Sequence, residues 1–414
     1  MPWTPTRDAA LSALDAFLPR AGSHYSKQRN HDEGWDDGTP ETDGPQRRRN
    51  VSGLSPWLAR RTLTEAEVVA AALAAHGRGN ATKFIEEVMW RTYWKGWLAQ
   101  RPSVWDDYEA LRDADRARLD AQPGRRLAYG RALESATGID CFDHWRHELG
   151  TTGYLHNHAR MWFASVWIFT LRLPWTLGAA LFERELLDAD PASNTLSWRW
   201  VAGLHTRGKH YVARASNIAT CTGGRFAPHG KLDESPEPLR EDTEHPIVAL
   251  PQPKPLDPGP RTGVLVTTDD LHLESSGLLG LDPVAIAGGR ASERDDATRF
   301  SAASRAFDVA ALDDGLHRAA RQAGLDAHRL PDGERWLDAV VAWAREASLD
   351  RVVTMAPHVG TWEPALERLG SALRHHDIAL AHGHRDWDRM LYPHATRGFF
   401  KLKKQLPAVI ASVA

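Results

Sequence analysis

LLDADPASNTLSWRWVAG, residues 186–203, concentrates carboxylates, an amide and two indoles in one short segment. One interpretation is a helix N-terminus, in which Asp188 and Asp190 are favoured by the helix dipole, Ser193 or Asn194 is the cap, and the tryptophans are core residues. The other interpretation is that these side chains bind a ligand. The segment by itself leaves both open.

A second polar segment, HNHARM at residues 156–161, lies between apolar runs that would otherwise bury it. Buried polar groups are costly unless they are paired. A pair between Arg160 and Asp188 would satisfy both side chains. A planar, polar ligand with many donors and acceptors would satisfy the remaining groups, but the spacing does not identify it.

Composition limits the class of protein. The 414 residues are enough for two or three domains, and 42% hydrophobic residues with a mean hydropathy of −0.46 predict a soluble protein without a membrane span. Two cysteines can form neither a disulfide framework nor a four-thiolate metal cluster, so we expect no metal site and a reducing, cytoplasmic location. The net charge of −3 gives no global attraction to nucleic acid.

The first half has a helical pattern. TEAEVVAAALAAHG begins with a capping box, Thr64 to Glu67, and stops at Gly77. In the next helical segment, apolar and polar residues at positions 84, 88, 91 and 94 share one face. The run NHARMWFASVWIFTLRL, which ends before Pro174, is apolar nearly all round, as in a buried helix. We therefore expect an all-α domain over residues 1–232.

Residues 233–260 are rich in proline and charge, which predicts a linker or an extended surface strap. After it, short apolar runs alternate with helical segments and predict an α/β Rossmann-like domain with a parallel sheet over residues 261–414. The predicted strands are GVLVT (263–267), VAIAG (284–288), RVVTM (351–355) and IALA (378–381). No GxGxxG or GxxxxGK[ST] loop is present, so no standard dinucleotide or P-loop site is expected there.

Several motifs together resemble one known family. GYLHNHARMWFASVW at 153–167 and the segment 186–203 resemble the flavin-binding helical domain of the DNA photolyase and cryptochrome family. The resemblance covers roughly residues 25–226 and extends to further motifs in the family's order: Tyr25 and Arg29 in YSKQRN, VSGLSPWLA (51–59), FIEEVMWRTYW (84–94) and TGIDCFDHW (137–145).

The resemblance also implies a circular permutation. In the family the α/β domain precedes the helical domain, and its end resembles MLYPHATRGFFKLKKQLP, which here occupies residues 390–407. Permutation is tolerated where the natural termini lie on the surface. The α/β half is the weaker match, and TTDDLHLES (267–275) stands where the family commonly has two arginines. An antenna chromophore is therefore unknown.

The resemblance implies that the cofactor is a folded FAD. Backbone amides that include Gly53 can cradle its phosphates although the family's usual hydroxyl and cation are missing from this loop. The implied phosphate-binding residues are Tyr25, Ser52, Gly53, Leu54 and Ser55, assisted by Arg91. The implied ring partners are Asn157, Arg160 and Asp188 around the isoalloxazine, Asp190 at its imide edge and Asn194 at N5.

The family's lesion pocket is represented by Glu87, Trp90 and Met161, which match residues that touch a flipped-out pyrimidine dimer. Trp90 can stack on an extruded base. The branch that repairs (6-4) lesions has His at the position of Met161, so the resemblance implies the cyclobutane-dimer branch. Ordinary core packing of Trp90 and Met161 is the alternative.

Trp198 and Trp175 match the inner and middle members of the tryptophan chain that carries electrons to the flavin. The outer member would fall within residues 119–124, which contain no aromatic residue. Tyr129, Trp105 or Trp145 is a possible substitute.

These implications predict a DNA photolyase, a lyase that repairs cyclobutane dimers in UV-damaged DNA by electron transfer from light-excited, reduced FAD. Glu87 would stabilise the dimer once it has accepted the electron, and Asn194 the reduced flavin. The first alternative is a cryptochrome-like blue-light photoreceptor without repair activity. The second is a flavin protein that has lost its light chemistry. The oligomeric state is not predicted.

Overall fold

The computed structural model describes residues 3–34, 48–291 and 299–413. The predicted helical domain, residues 1–232, and the predicted α/β domain, residues 261–414, therefore each include some residues that are not described. Helices dominate the first half, as predicted: α1 (Arg7–Phe17), α2 (Ser23–Gln28), α3 (Ser55–Ala59), α4 (Glu65–Ala99), α5 (Ser103–Asp120), α6 (Pro123–Leu133), α7 (Asp140–Thr152), α8 (Asn157–Ser165), α9 (Trp175–Glu185), α10 (Pro191–Ala202) and α11 (Ala215–Cys221).

Helix α4 begins and breaks where the sequence predicts. The Thr64 hydroxyl accepts from the backbone N–H of Glu67, and the Glu67 carboxylate accepts from the N–H of Thr64, which completes the capping box. Gly77 interrupts the helix with φ 65° and ψ 170°, a conformation that only glycine adopts without strain. The second part of α4, from Ala81 onward, carries the buried aromatic face of this helix.

The predicted helix over residues 157–173 ends earlier than Pro174. Helix α8 continues as one turn of π-helix over Val166–Thr170, and Arg172 then takes a left-handed conformation with φ 54°. Pro174 is instead the N-cap of α9. The prediction that Pro174 ends the helix is thus wrong by about one turn, because the π-turn and a positive-φ arginine end it before the proline is reached.

The second half contains a parallel sheet, as predicted. Within the described residues its strands are β1 (Thr262–Val266), β2 (Ala285–Gly288), β3 (Ala327–Arg329), β4 (Arg351–Met355) and β5 (Ala379–Gly383), in the order β3-β2-β1-β4-β5. Val264 lies opposite Ile286 on one side and Val353 on the other. Strand β3 was not predicted, since its half-buried and exposed residues give no apolar signal.

Helices cover both faces of this sheet: α12 (Ala302–Ala323), α13 (Trp336–Glu346) and α14 (Trp362–Arg374). Three short helices follow, α15 (Asp386–Leu391), α16 (Phe399–Lys403) and α17 (Leu406–Val413). No helix among the described residues combines the length and the apolar character needed to cross a membrane.

Residues 233–260, the strap, contain neither helix nor strand, as predicted. The strap lies against the helical half: the N–H of Leu239 donates to the carbonyl of Ala202 at 3.0 Å, and that of Val248 donates to Gln100 at 2.9 Å. Buried Arg199 pairs with Glu241 of the strap. The strap therefore follows a defined path over the helices.

The last helices pack on α4 and join the two halves. Phe399 stacks on Trp90, with ring centroids 4.0 Å apart and planes inclined by 8°. The indole N–H of Trp387 donates to Thr92 at 2.9 Å, and Lys403 pairs with Glu86 at 2.7 Å. The aromatic face of α4 is thus completed by residues from the far end of the sequence.

Candidate functional site

A cavity of about 440 Å³ lies within the helical half, between α2, α4, α8, α10 and the loop before α3. Of the sequence-predicted site residues, the following line it: Tyr25, Ser52, Gly53, Leu54, Ser55, Glu87, Trp90, Arg91, Asn157, Arg160, Met161, Asp188, Asn194 and Trp198. Asp190 and Trp175 do not belong to its wall. The chain thus brings residues from five separate segments to one site.

Helical spacing explains how two of the walls form. On α10, Asn194, Ser197, Trp198 and Val201 face the cavity at the i, i+3, i+4, i+7 spacing of one helix face. Sequence reasoning missed Ser197 and Val201, although this spacing from Asn194 would have found them. On α4, the predicted face of residues 84, 88, 91 and 94 also lines the cavity, so this prediction is confirmed.

Arg160 and Asp188 form the predicted pair. Arg160 Nη1 donates to Oδ1 of Asp188 at 3.0 Å and Nη2 to Oδ2 at 2.8 Å, a bidentate geometry. A further bond from Nε to the carbonyl of Leu155, at 2.9 Å, fixes the guanidinium. Burial alone would raise the pKa of Asp188, but the adjacent guanidinium holds it below its ordinary value, so the pair is ionised at neutral pH.

A helix N-terminus lies here, as one interpretation predicted, but its N-cap is Asp190 and not Ser193 or Asn194. Oδ1 of Asp190 accepts from the N–H of Ser193 at 2.8 Å, which caps α10. Its Oδ2 is bound by Arg91. Residues 186–203 therefore contain a helix N-terminus, and Asp188 just before it lines the cavity, while its contact with a ligand stays a prediction. Contact of Asp190 with a flavin stays a prediction.

The cavity offers polar groups that have no protein partner. The indole N–H of Trp198 and the hydroxyl of Ser193 are buried without a hydrogen bond, and both residues line the cavity. Asn194 Nδ2 donates to the carbonyl of Ala179 at 2.8 Å, so Oδ1 is the atom that this amide can offer to a ligand. Buried unpaired groups cost free energy. This donor and acceptor set fits a polar heterocycle such as a flavin.

The loop before α3 forms one wall of the cavity. Gly53 has φ 62°, a left-handed conformation that disfavours any side chain, and a Cβ there would lie 3.5 Å from the Trp3 ring. The hydroxyl of Ser52 accepts from the N–H of Leu54 at 3.5 Å. Tyr25 closes the opposite side, and burial raises its phenol pKa far above the ordinary value, so it stays neutral.

The three predicted substrate residues lie on the cavity wall around α4 and α8. Glu87 is half-buried and contacts Lys83 at 2.8 Å and Arg29 at 3.4 Å. Met161 lies beside Asn157, whose amide nitrogen is 4.0 Å from the sulfur. Ring stacking of Phe399 fixes the indole plane of Trp90.

The rings of Trp198 and Trp175 have different neighbours. Trp198 contacts Phe182, with centroids 5.1 Å apart, and Trp167 at 6.3 Å. Trp175 contacts Tyr108 at 5.6 Å. No ring contact between Trp198 and Trp175 occurs in the described part of the chain, so their role as a two-step relay stays a prediction.

A larger cavity of about 1080 Å³ lies at the carboxyl ends of β4 and β5, and no predicted site residue lines it. Lys95 from α4 borders this cavity, and burial lowers its pKa below the ordinary value. His358 also borders it, with Nδ1 3.3 Å from the hydroxyl of Tyr392.

Comparison with known proteins finds relatives of the helical half, which contains the 440 Å³ cavity. Residues 84–232 match the family described as the FAD binding domain of DNA photolyase. The deoxyribodipyrimidine photo-lyase of Streptomyces griseus is 37% identical over 157 residues, which are 38% of this chain and 33% of that protein. The one from Thermus thermophilus is 29% identical over 240 residues, 55% of this chain and 49% of that protein.

Among solved structures, a bacterial class III photolyase from Agrobacterium tumefaciens is 27% identical, with a TM-score of 0.43 over 53% of this chain and 43% of that one. The chain spans from a third to a half of the length of the relatives it matches. The family match lies in the half that contains the 440 Å³ cavity. Residues 84–232 of the helical half are therefore similar to the FAD binding domain of DNA photolyase, which supports FAD as the cofactor of this domain.

Proposed function

We propose that this protein repairs cyclobutane pyrimidine dimers in UV-damaged DNA in a light-dependent lyase reaction. The observation that carries the proposal is that Glu87, Trp90 and Met161 line the same cavity as the other predicted site residues, which include Asn194 and Trp198. The named relatives in Streptomyces griseus and Thermus thermophilus are deoxyribodipyrimidine photo-lyases, which supports the same reaction.

FAD, when bound and reduced, supplies the light-driven electron. The residues proposed to bind it are Tyr25, Ser52, Gly53, Leu54, Ser55, Arg91, Asn157, Arg160, Asp188, Asp190 and Asn194. Arg160 and Asp188 form a rigid ionised pair at the ring, since their bidentate bonds leave little freedom. The bond of Asn194 to the carbonyl of Ala179 leaves its Oδ1 available to a ligand in the cavity, where it would contact the flavin at N5, and Trp198 on the same face of α10 would be the first electron donor.

The dimer is proposed to enter from the side of the cavity formed by α4 and α8. Phe399 already fixes the plane of the Trp90 indole, so stacking of this indole on the dimer costs little side-chain conformational entropy. Glu87 contacts the dimer's polar edge and is positioned by Lys83 and Arg29. Thioether contact from Met161 completes the apolar part of this wall.

A direct repair assay tests the proposal. Reduced, flavin-loaded protein is mixed with an oligothymidylate that contains dimers, illuminated with blue light without oxygen, and the recovery of thymine absorbance is followed. Glu87→Gln should lower the repair rate about 10- to 100-fold, the range for loss of one group that stabilises developing charge. Glu134→Gln, on the exposed end of α6, is the matched control and should change nothing.

The assay also separates the alternative, a cryptochrome-like photoreceptor without repair. In that case the wild-type protein photoreduces its flavin under blue light but repairs no dimer, either in the light or in the dark. A protein that binds no FAD under any condition would contradict both proposals.

We also propose that residues 1–232 form the FAD-binding domain, 233–260 the connecting strap and 261–414 the α/β domain, in an order permuted relative to the family. In support, α2 and α16 pack against the same helix: Tyr25 contacts Phe84, with centroids 5.1 Å apart, and Phe399 contacts Trp90. A gene in which residues 261–414 precede 1–232 should yield a protein with the wild-type flavin content. A flavin-free product would contradict the permutation.

A further inference from the structure

Phe400 is the most exposed large hydrophobic residue in the described part of the chain, with 78% of its surface accessible. Its neighbour Phe399 is buried and stacks on Trp90, a wall residue of the 440 Å³ cavity. Both belong to α16, where successive side chains point about 100° apart. Phe399 therefore anchors the helix to a wall residue of the cavity, and the next residue, Phe400, faces solvent.

The segment around Phe400 is strongly cationic. Residues 389–414 contain five Lys and Arg residues and no Asp or Glu, in a protein whose net charge is −3. Of these cations, Lys403 is bound to Glu86 at 2.7 Å and braces α16 against α4. Arg397 and Lys404 are exposed, and no carboxylate pairs with them among the described residues.

The placement of these charges follows from the local helix. Lys404 continues the helical backbone of α16 and lies four residues after Phe400, so the two share a face. Arg397 lies three residues before it, just ahead of the helix. An exposed aromatic ring with a cation on each side is the arrangement that binds single-stranded nucleic acid, by base stacking and by phosphate contact.

We propose that Phe400 stacks on a base of the DNA strand next to the lesion cavity, while Arg397 and Lys404 contact the flanking phosphates. This inference rests on the proposed function for its choice of DNA, and it adds a contact outside the cavity. Bases beside an extruded dimer lose a stacking neighbour, so an apolar ring there recovers stacking that extrusion would otherwise lose. The rigid anchor through Phe399 keeps the ring at a fixed distance from the dimer.

Fluorescence anisotropy on a dye-labelled duplex with one thymine dimer measures the effect. Phe400→Ala should weaken binding about tenfold, as for loss of one base–aromatic contact. Phe400→Trp should bind like the wild type, because it keeps a stacking surface. Leu127→Ala, which truncates another exposed hydrophobic residue, on α6, should have no effect. Because Phe400 is exposed, its truncation leaves the fold intact, and an unchanged melting temperature checks this.

The charge component is tested by the salt dependence. Arg397→Ala and Lys404→Ala should each reduce the slope of log affinity against log salt by about 0.9. Lys254→Ala, at an exposed position of the strap, should leave the slope unchanged. Quenching of a 2-aminopurine placed beside the dimer, present in the wild type and lost in Phe400→Ala, reports the stacking itself.

The outcomes separate this inference from the proposed function. If the wild type repairs dimers and Phe400→Ala binds the duplex as tightly as the wild type, the inference is wrong and the function stands. If no repair occurs but Phe400→Ala still loses affinity for oligothymidylate, the inference stands and the function is wrong. Sedimentation with phosphatidylglycerol vesicles that depends on Phe400, with DNA affinity unchanged, would overturn the inference in favour of a membrane surface.

Discussion

Gly178 on α9 is the position from which the orientation of Trp198 can be tested. A Cβ at Gly178 would lie 2.5 Å from Cζ3 of Trp198 and 2.9 Å from Nε1 of Trp167. Ordinary contact begins at 3.4 Å and Cη2 of Trp198 lies closer still than Cζ3, so Gly178→Ala must displace the Trp198 ring by more than about 0.9 Å. Both rings are buried and well packed, and the neighbouring Phe182 limits the movement of Trp198.

The expected cost follows from two opposing effects. Overpacking a close-packed core costs about 1–3 kcal/mol. Alanine in place of glycine within a helix recovers about 1 kcal/mol. Gly130→Ala, on α6, is the matched control, since nothing lies within 4 Å of its Cβ position. Gly130→Ala should gain only the stability that alanine adds to a helix. Gly178→Ala should therefore be about 1–3 kcal/mol less stable than Gly130→Ala.

Urea denaturation of both variants and of the wild type measures this difference, and the absorption spectrum of each purified protein measures its flavin content. Because Trp198 lines the cavity, its displacement should also lower the flavin content of Gly178→Ala, while Gly130→Ala keeps the wild-type content. If the two variants are equally stable and equally loaded with flavin, the packing of Trp198 against Gly178 is not what orients this residue.

Three further substitutions test the site. Asp188→Asn leaves the half-buried Arg160 guanidinium without its counter-charge, so it should lower the free energy of unfolding by about 1–3 kcal/mol, measured by denaturation, and abolish flavin binding. Burial lowers the pKa of His156 to about 3, so the ring stays neutral in the folded protein. Folding stability therefore falls as the pH drops below about 6.5, where the histidine of the unfolded chain takes up a proton. His156→Asn keeps an acceptor for the N–H of His158, and from about pH 7 to about pH 5.5 the wild type should lose about 1.3 kcal/mol more than this variant. Trp198→Phe should slow the photoreduction of oxidised flavin, followed by absorption under blue light, and leave FAD bound.

Each of these expectations has a clear contrary result. Full flavin content in Asp188→Asn would show that the ion pair does not shape the site. Parallel stability curves of His156→Asn and the wild type would show that the histidine titrates normally. Unchanged photoreduction in Trp198→Phe would mean that electrons reach the flavin by another path. Trp167 and Tyr129, whose ring centroids are 5.8 Å apart, are candidates for that path.

Local sequence patterns predicted the elements whose determinants are local. The capping box at Thr64 and the break at Gly77 involve neighbouring residues, so the sequence was sufficient. Apolar periodicity also predicted the cavity face of α4 and four of the strands. Strand β3 was missed because it is stabilised by pairing with β2 rather than by apolar side chains of its own.

The site was predicted best where its residues share a motif. The pair between Arg160 and Asp188 followed from the need to satisfy two buried charges. The position of Asp190 outside the cavity wall could not be foreseen, since the choice between capping and ligand contact depends on where α4 places Arg91. Stacking of Phe399 on Trp90 joins residues far apart in sequence, and no local pattern indicates it.

The contact between α4 and α16 also determines how the chain can fold. Trp90 is synthesised about 300 residues before Phe399, and its ring gains its stacking partner only when that residue is made. Pairings of such high sequence separation slow folding, and aromatic surface that waits for its partner is prone to aggregate. The nascent helical half therefore carries an incomplete apolar face through most of translation, and we expect its yield in a cell to depend on chaperones that protect this face.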